Sequence, residues 1–560
     1  NYKRLTASAR MQDEWQVGNA RLRWRSNIDY TGSFDDEKHD PEILKQKDDT
    51  YKSSYNRLSM SHSMLLTPSS PSFFKSMNLD VAAAYEWSRI EQQKSIKSIS
   101  LSRDMAASTS LEEGEHDGTF LPYHYISNVT VDGRPLNLYA KLKALFAYNS
   151  GQLAQRIHVG AEWKMDKNYG RGQEYDPALP VSPGTPYRPR NYSAIPAMHQ
   201  VSFFLQDNLT LPVGNNLLTA QVGLRGSSLA HIAKEYAMSG KIYLNPRLNL
   251  QWRFPEISMA GKPLTIDING GWGQQSKFPT LLQIYPDLIY TDLIELNYYN
   301  MNADYRRIYL HTYIDNPTNY GLEPARNDKW EIRIGAQWDG NSVSVTYFRE
   351  QMNDGFRTSA KVRPYDYRDY DEEKNGNRLS APPALEKLPY VEKRVLGMYG
   401  MTTNGSKMIK EGVEWQMATK RFEMLKTRLT VNGAWFKTTY TNSGEQLNTN
   451  IMADTYIPKL ALSFSLTAEC MWFTSSKSIR TSGVPLKYID NNGEIHDFTE
   501  ESKQDVYLQW LINRYNDAAW LKQKVPFYMF LNLKVTKEFG KWMKLALFVN
   551  TRPTIPPTVV

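Results

Sequence analysis

Residues 329–350, KWEIRIGAQWDGNSVSVTYFRE, decide the fold because they contain two alternating runs joined by an Asp-Gly pair. In the first run, apolar side chains occupy every second position from Trp330 to Trp338, and charged, polar or small residues stand between them. A period of two is typical of a β-strand with one apolar face. Asp339-Gly340 suits a two-residue hairpin turn, and the alternation resumes beyond it. The stretch therefore predicts an antiparallel hairpin.

The composition of the chain fits more than one class of protein. The 560 residues are 12% aromatic, with 35 Tyr and 14 Trp, and carry a formal net charge of +8. Because no run of about eighteen apolar residues occurs, no transmembrane helix is predicted. The polar average still allows a membrane protein, since a transmembrane barrel exposes only alternate residues to lipid. Cys470 is the single cysteine, which excludes an intramolecular disulfide and a cysteine-rich metal site.

The same alternation recurs in about seventeen segments, typically about 9–14 residues long. In residues 21–30, Leu22 and Trp24 share one face, while the other face is rich in arginine. A soluble core would not accommodate that second face, because buried charges need partners. Other clear segments are 79–87, 156–164, 218–225, 247–254, 264–272, 413–417, 428–435, 531–537 and 543–549.

Strand length and loop length both indicate a transmembrane barrel. Trp330 and Trp338 would lie about 20 Å apart along the membrane normal in a strand tilted by about 45°, which matches an apolar band between two aromatic girdles. Short turns such as Gly18-Asn19 alternate with long polar stretches, predicted at 31–58, 89–135, 165–198, 273–326, 350–407 and 473–524. The tryptophans predicted to face lipid are Trp24, Trp87, Trp163, Trp330, Trp338 and Trp415.

The alternative fold is a large soluble β protein, such as a pair of sandwiches or a propeller. Soluble strands are usually about 5–6 residues long, which is shorter than these segments. A propeller would also show a repeat of roughly 40–50 residues, and none is found. The all-β transmembrane barrel is therefore favoured.

Several stretches resemble the barrel of TonB-dependent outer-membrane receptors and transporters of the Bacteroidetes type. They occur in family order over about two thirds of the chain. They are FFLQDNLTLPVGNNLLTAQVGLR (203–225), NPRLNLQWRF (245–254), GGWGQQSKFPTLLQIYP (270–286), YGLEPARNDKWEIRIGAQW (320–338), KEGVEWQM (410–417) and FYMFLNLKVTKEFGKWMKLALFVN (527–550).

The sequence also departs from this family. Ala325 replaces the usual acidic residue after Pro324, and neither a plug domain nor a TonB-contacting segment is recognised before Asn1. Two adjacent prolines, Pro556 and Pro557, do not suit a paired closing strand. We therefore expect residues 1–560 to form a partial barrel of a large antiparallel sheet. Roughly strands five to twenty-one of about twenty-two would be visible, without the plug, the first strands or the closing strand.

The resemblance implies import of a scarce nutrient across the outer membrane: a ferric siderophore, haem, cobalamin, a glycan or a peptide. It implies TonB and a plug domain as partners, with outer-membrane lipid and lipopolysaccharide around the barrel. SusC-like members add a surface lipoprotein lid. The alternative function is a passive porin, or a structural or secretion barrel. We predict neither enzymatic activity nor a nucleic-acid partner.

Two sets of residues are candidates for contact with a ligand. The first is cationic and falls on the predicted water-facing side, where it would select an anionic cargo or pack against the plug. The second consists of loop tyrosines, which would stack on ligand rings or simply pack the loops. The cationic set is Arg21, Arg23, Arg25, Lys141, Lys143, Arg156, Lys164, Arg247, Arg253 and Arg333; the loop set is Tyr285, Tyr290, Tyr298 and Tyr299, with Tyr305, Tyr309 and Tyr313 nearby.

No cofactor or metal site is predicted. The nine histidines lack metal-site spacing. His124, His231 and His311 fall in or near predicted loops and would be able to reach a haem iron, but an isolated surface histidine is the more common case. The glycines of 270–273 lack a following helix, which argues against a phosphate loop.

Overall fold

The computed structural model describes residues 2–37, 49–70, 72–97, 106–107, 110–182, 186–370, 381–478, 482–514 and 520–551. Nearly all of the regular structure is β, as predicted. The single α-helix within these ranges is short, α1 (Leu281–Ile284). Among these residues, no helix is both long and apolar enough to cross a membrane. Short 3-10 helices lie at Tyr192–Ala194, Ala303–Tyr305, Leu385–Lys387, Pro458–Leu460 and Leu508–Leu511.

The strands follow one another along the whole described chain. In chain order they are β1 (Tyr2–Val17), β2 (Ala20–Glu37), β3 (Thr50–Pro68), β4 (Phe74–Lys97), β5 (Ala106–Ala107), β6 (Gly114–Asp117), β7 (Thr119–Phe120), β8 (His124–Gly133), β9 (Pro135–Ser150), β10 (Leu153–Asn168), β11 (Gly172–Tyr175), β12 (Met198–Val213), β13 (Asn216–Ala230), β14 (Tyr243–Arg253), β15 (Ile257–Met259), β16 (Lys262–Lys277), β17 (Ile289–Tyr298), β18 (Arg307–Asp315), β19 (Ala325–Trp338), β20 (Asn341–Tyr370), β21 (Tyr390–Ala418), β22 (Thr427–Thr439), β23 (Asn442–Ile457), β24 (Leu462–Ser478), β25 (Lys487–Ile489), β26 (Ile495–Asp497), β27 (Gln523–Val525), β28 (Tyr528–Phe539) and β29 (Met543–Asn550).

One antiparallel sheet of 22 strands dominates the molecule. Its long strands form a meander, in the order β1, β2, β3, β4, β9, β10, β12, β13, β14, β16, β19, β20, β21, β22, β23, β24, β28 and β29. The 22 strands include short segments such as β11, β15 and β27. Within the described chain, β1 and β29 each pair on one side only, and both are exposed along their whole length. The predicted large antiparallel sheet is confirmed.

The hairpin predicted from residues 329–350 is present as β19 and β20. Trp338 pairs with Asn341 across the turn. Asp339 and Gly340 have φ of 46° and 77°. Positive φ at both central positions gives the turn the left-handed geometry that Asp-Gly tolerates and that matches the twist of paired strands.

Most short turns lie at one end of the long strands, which we call the turn rim, and the long connections lie at the other end, the loop rim. The strands extend further toward the loop rim than predicted. β20 has 30 residues and β21 has 29. The prediction of a loop at 350–407 is therefore wrong over most of its length, where the chain forms paired strand. β2 and β3 similarly enter the predicted loop 31–58. Outside a membrane no face of a strand has to stay apolar for lipid, so backbone pairing continues without a lipid-facing side.

A second layer of structure covers the loop rim, and we call it the loop assembly. Its centre is a three-stranded antiparallel sheet in the order β17, β18, β6. The loop assembly also contains two clusters of buried side chains, of which the second includes residues of β17: Leu229, Tyr236, Met238, Phe278 and Ile284 in one, and Leu296, Tyr298, Tyr370 and Leu388 in the other. Compact apolar packing in this molecule is therefore concentrated at the loop rim.

Candidate functional site

The alternation of the strands places charged side chains on one face of the large sheet, and a cavity of about 960 Å³ lies against that face. We call this the inner face. Trp330 stands between Lys329 and Glu331, which both line the cavity, so its side chain points to the opposite, outer face. Trp163 stands in the same way between Glu162 and Lys164.

A nearly buried carboxylate organises this cavity. The Glu162 side chain is 8% exposed and lies 2.8 Å from Arg225 and 3.2 Å from Lys164. Lys141 pairs directly with Glu162 across β9 and β10. Among the residues lining the cavity, five cationic side chains face three acidic ones, so positive charge is in excess: Lys141, Lys164, Arg225, Arg247 and Lys329 against Glu162, Glu331 and Glu350.

A second cavity of about 280 Å³ on the inner face brings together three of the predicted cationic residues. Arg23, Arg25 and Lys143 line it with His158, and none of its lining residues is acidic. Glu14 on β1 and Asp80, which accepts a hydrogen bond from the lining residue Asn78, are nearby acids. The Glu14 carboxylate is shared. It lies 3.0 Å from Arg23 and 3.1 Å from Arg21, so two guanidinium groups share one carboxylate.

The remaining predicted cations occupy separate places. Arg333 lies 3.0 Å from Asp267 and forms an ion pair across β19 and β16. Arg156 lies two positions before His158 on β10 and therefore shares its face. The structure thus groups Arg23, Arg25 and Lys143, places Lys141 at the larger cavity, and pairs Arg333 elsewhere.

The predicted loop tyrosines all lie in the loop assembly, in different environments. Tyr298 is buried in one apolar cluster, and Tyr285 packs against the other. The Tyr290 ring lies under the Arg188 guanidinium, 4.8 Å from the ring centre. Tyr299 is the more exposed member of the set, and Arg306 stacks over it at 4.2 Å. A ligand role for these tyrosines stays a prediction.

The loop assembly contains a polar network that the sequence did not reveal. The Arg188 side chain is 5% exposed and donates two hydrogen bonds from Nη2 to Asp292, of 3.0 and 2.7 Å. The Thr312 hydroxyl donates to the same carboxylate at 2.7 Å. Arg188 and Asp292 are 104 positions apart. No local pattern signals such a pair, because only the folded loops bring the two residues together.

A second loop network surrounds Asp315 at the end of β18. This carboxylate accepts hydrogen bonds from Arg363 at 2.8 Å and from the Tyr365 hydroxyl, both on the outer part of β20. The long strand β20 is thereby attached to the loop assembly through buried polar contacts.

Burial also changes the acidity of a tyrosine on β18. It is the main factor that raises the pKa of Tyr309 to about 12, and Glu115 adds to it.

Comparison with known proteins identifies the family. The profile described as "TonB dependent receptor-like, beta-barrel" matches residues 2–550. No curated protein matches the sequence.

Similar solved structures share little sequence with the chain. The siderophore receptor PirA from Acinetobacter baumannii is 13% identical, with 97% of this chain and 75% of that chain covered and a TM-score of 0.46. The RagAB peptide transporter is 10% identical, with 96% and 65% covered and a TM-score of 0.49.

The family match spans nearly the whole chain, and it does not favour the alternative of a passive porin. The predicted resemblance and the predicted outer-membrane location are confirmed. The chain belongs to the TonB dependent receptor-like β-barrel family, whose members import nutrients across the bacterial outer membrane.

Proposed function

We propose that this chain forms the barrel wall of a TonB-dependent transporter whose cargo is anionic or rich in hydrogen-bond acceptors. The observation that carries the proposal is the excess of positive charge at the two inner-face cavities described above; a third cavity on this face, lined by Asp29, Arg57, Lys164 and Asp166, is balanced in charge. Ferric siderophores, haem, cobalamin, glycans and peptides all offer such acceptors. The chain has no catalytic role in this proposal.

The chemistry of the inner face supports this choice of cargo. A walled cavity with one dominant sign of charge raises the local concentration of oppositely charged solutes. Arginine also offers a planar fork of donors that fits carboxylate and phosphate groups. Arg23 and Arg25 supply such forks beside Lys143, at a cavity without an acidic residue in its lining.

The partners in the proposal follow from the family and from the sheet edges. The family works with a plug domain and with TonB, and we propose both as partners here. Unpaired N–H and C=O groups in hydrocarbon cost several kcal/mol each, so the edges of β1 and β29 that have no partner among the described residues need pairing in a membrane. We propose that residues 1–560 are the barrel portion and that further strands complete it. Lipid and lipopolysaccharide surround the wall, and a surface lipoprotein lid is a further proposed partner.

The mass of the mature protein tests the proposed extra strands. Mass spectrometry of the intact protein from outer membranes should give a mass far above the 64.6 kDa of this chain. A mass of 64.6 kDa would show that β1 and β29 must find their partners within the chain.

The alternative role of the same cationic face is packing against the plug. Joint replacement of Arg21, Arg23 and Arg25 by Gln separates the two roles. If the face selects cargo, the variant should bind the transported nutrient more weakly, and the wild-type affinity should fall as salt is added, because salt screens charge attraction. Binding is measured by calorimetry at low and high salt against a panel of the five cargo classes.

The control variant removes charge outside the cavities. Lys487 and Lys503 lie in the loop between β24 and β28, and their joint replacement by Gln should leave cargo affinity unchanged. Unchanged affinity in the triple arginine variant, together with entry of a large antibiotic through a loosened plug, would assign the face to plug packing and refute cargo selection.

A further inference from the structure

The three-stranded sheet of the loop assembly brings a histidine and two glutamates together. His311 on β18 and Glu115 on β6 pair directly across the two strands. Glu295 lies on β17, where the register with β18 shifts between Ile294 and Leu296. A bulge leaves its extra residue out of the ladder and re-aims its side chain. The bulge therefore directs Glu295 toward the pair formed by its neighbours.

The Glu295 carboxylate is fully buried and only partly satisfied. Its side chain is 0% exposed. Oε1 accepts a hydrogen bond from the Arg368 backbone N–H at 2.8 Å and lies 3.7 Å from His311 Nδ1. Oε2 is also buried and has no hydrogen-bond partner. Because a buried oxygen without a partner costs free energy, an additional group is expected to interact with it.

We propose that Glu115, Glu295 and His311 bind one divalent transition-metal ion of the Zn²⁺ class. One ligand atom from each residue lies within 4.8 Å of the other two. Ligand atoms at about 2.0–2.2 Å from a tetrahedral Zn²⁺ are roughly 3.3–3.6 Å apart. The 3.7 Å between Glu295 Oε1 and His311 Nδ1 is close to that spacing. One imidazole and two carboxylates favour Zn²⁺ over Ca²⁺, which takes oxygen ligands.

The surrounding side chains hold the ligands in place. The His311 ring stacks on Tyr313, with ring centres 4.3 Å apart and planes 6° apart. Arg368 lies 3.0 Å from Glu115, and the Tyr309 hydroxyl donates to the same carboxylate at 3.3 Å. Such outer contacts orient metal ligands and tune affinity. Arg368 also balances part of the negative charge of the two glutamates.

The ion would fasten three separate segments of the chain. β6 precedes β17 by more than 170 positions, and the sheet joins them through β18 alone. A metal bound to all three strands adds a direct link between the outer two. It also connects them to the outer part of β20, because Arg368 contacts both glutamates. The proposed role is to order the loop assembly, independently of which cargo is imported.

A second group of similar residues provides a matched control. Asp490, Glu494 and His496 also lie within 4.8 Å of one another. They belong to one short hairpin, formed by β25 and β26, and Asp490 already accepts backbone hydrogen bonds from Asn492 and Glu494. We therefore expect no tight metal binding there.

Zn²⁺ titration of the full-length protein tests the site. Calorimetry should detect one tight ion per chain, and Co²⁺ substitution should give the absorption bands of a mixed nitrogen and oxygen site. Glu295→Gln and His311→Gln should each weaken Zn²⁺ at least about tenfold, whereas Glu494→Gln should not. Wild-type protein without tight binding, or Glu295→Gln with wild-type affinity, would overturn the proposal.

A measurement on the wild-type protein tests the site without any substitution that disturbs the loops. Hydrogen exchange in residues 110–117 and 289–315 should slow when EDTA is replaced by Zn²⁺. Exchange in β22 and β23 should not change, because both strands lie in the large sheet and supply none of the residues named in the loop assembly. Equal exchange with EDTA and with Zn²⁺ in both regions would also overturn the proposal.

Discussion

The inner face of the large sheet and the loop assembly are stabilised in different ways. The sheet is a regular ladder whose inner charges are mostly partly exposed, as with Arg333 beside Asp267. The loop assembly buries its polar groups, as with Arg188 beside Asp292, and surrounds them with small apolar clusters. A charge that remains near water keeps most of its solvation, whereas a buried charge depends on its partner. Single substitutions should therefore disturb the two regions to different degrees.

Replacing Asp292 by Ala is expected to have the largest effect. It removes the carboxylate that neutralises the nearly buried Arg188 and that accepts a hydrogen bond from the Thr312 hydroxyl. Loss of one partner of a buried ion pair costs about 3–5 kcal/mol. Limited proteolysis should therefore cut the loops between β16 and β19 faster. The folded sheet of the variant should still migrate in detergent gels as the wild-type sheet does, and unfold at the same heating temperature.

The control for this comparison is Asp497→Ala. Asp497 also pairs with a cation, Lys487, but both side chains are exposed, and such pairs contribute little. Equal proteolysis of the two variants would show that burial does not distinguish the loop pair.

A charge placed on the outer face of the sheet is expected to have the next largest effect. Ile334 is 55% exposed on the outer face, and Arg at this position would place a charge against lipid. Near the membrane midplane such a charge costs roughly 2–4 kcal/mol. Ser344 pairs with Gly335 on the neighbouring strand, at similar depth but on the inner face.

Refolding into lipid vesicles, followed by urea titration, compares Ile334→Arg with Ser344→Arg. The outer-face variant should lose the larger part of its free energy of folding. Similar losses in both would mean that the outer face does not contact hydrocarbon.

Much of the sheet was predictable because its rules are local. The alternation at 329–338 and the Asp339-Gly340 turn predicted β19, β20 and their register, and the same rule placed Arg23, Arg25 and Lys143 on one face. The full length of β20 was not predicted, because its outer part packs against the loop assembly, as Tyr365 does beside Asp315, and no local pattern reports that contact.

The loop assembly was largely unpredictable from the sequence. Its sheet pairs β6 with β18, which lie almost two hundred positions apart, so no window of sequence reports the contact. Metal-site spacing is also a local criterion, and Glu115, Glu295 and His311 do not satisfy it. The bulge that directs Glu295 inward interrupts the period of two on which strand prediction relies.

An inner-face carboxylate should give an intermediate effect. Glu162→Gln keeps the shape of a side chain that is 8% exposed but removes its charge from Arg225 and Lys164. Hydrogen bonds to charged groups are worth about 1.5–3 kcal/mol. The midpoint of urea unfolding should therefore fall while proteolysis of the loops stays at the wild-type rate. Faster cleavage of the loops would show that the two regions are coupled.

The smallest expected effect concerns pH and the loop core. Tyr236 is buried in an apolar cluster and donates its hydroxyl to the Ile284 carbonyl at 2.8 Å. Burial, the largest cause, raises the pKa of Tyr236 from 10.0 to about 12. The fold therefore favours the neutral phenol, and the corresponding stability is fully present below pH 10 and is lost as pH rises through about 12.

Tyr236→Phe removes this titration together with one buried hydrogen bond. At neutral pH the variant should be about 1 kcal/mol less stable in the loop assembly. Between pH 10 and 12 its proteolysis rate should rise less steeply than that of the wild type, because one fewer phenol resists ionisation. The large sheet provides the internal reference, since its detergent-gel migration should not differ between the two proteins. If the rates of loop cleavage in the wild type and the variant rise equally steeply with pH, ionisation of Tyr236 does not loosen this core.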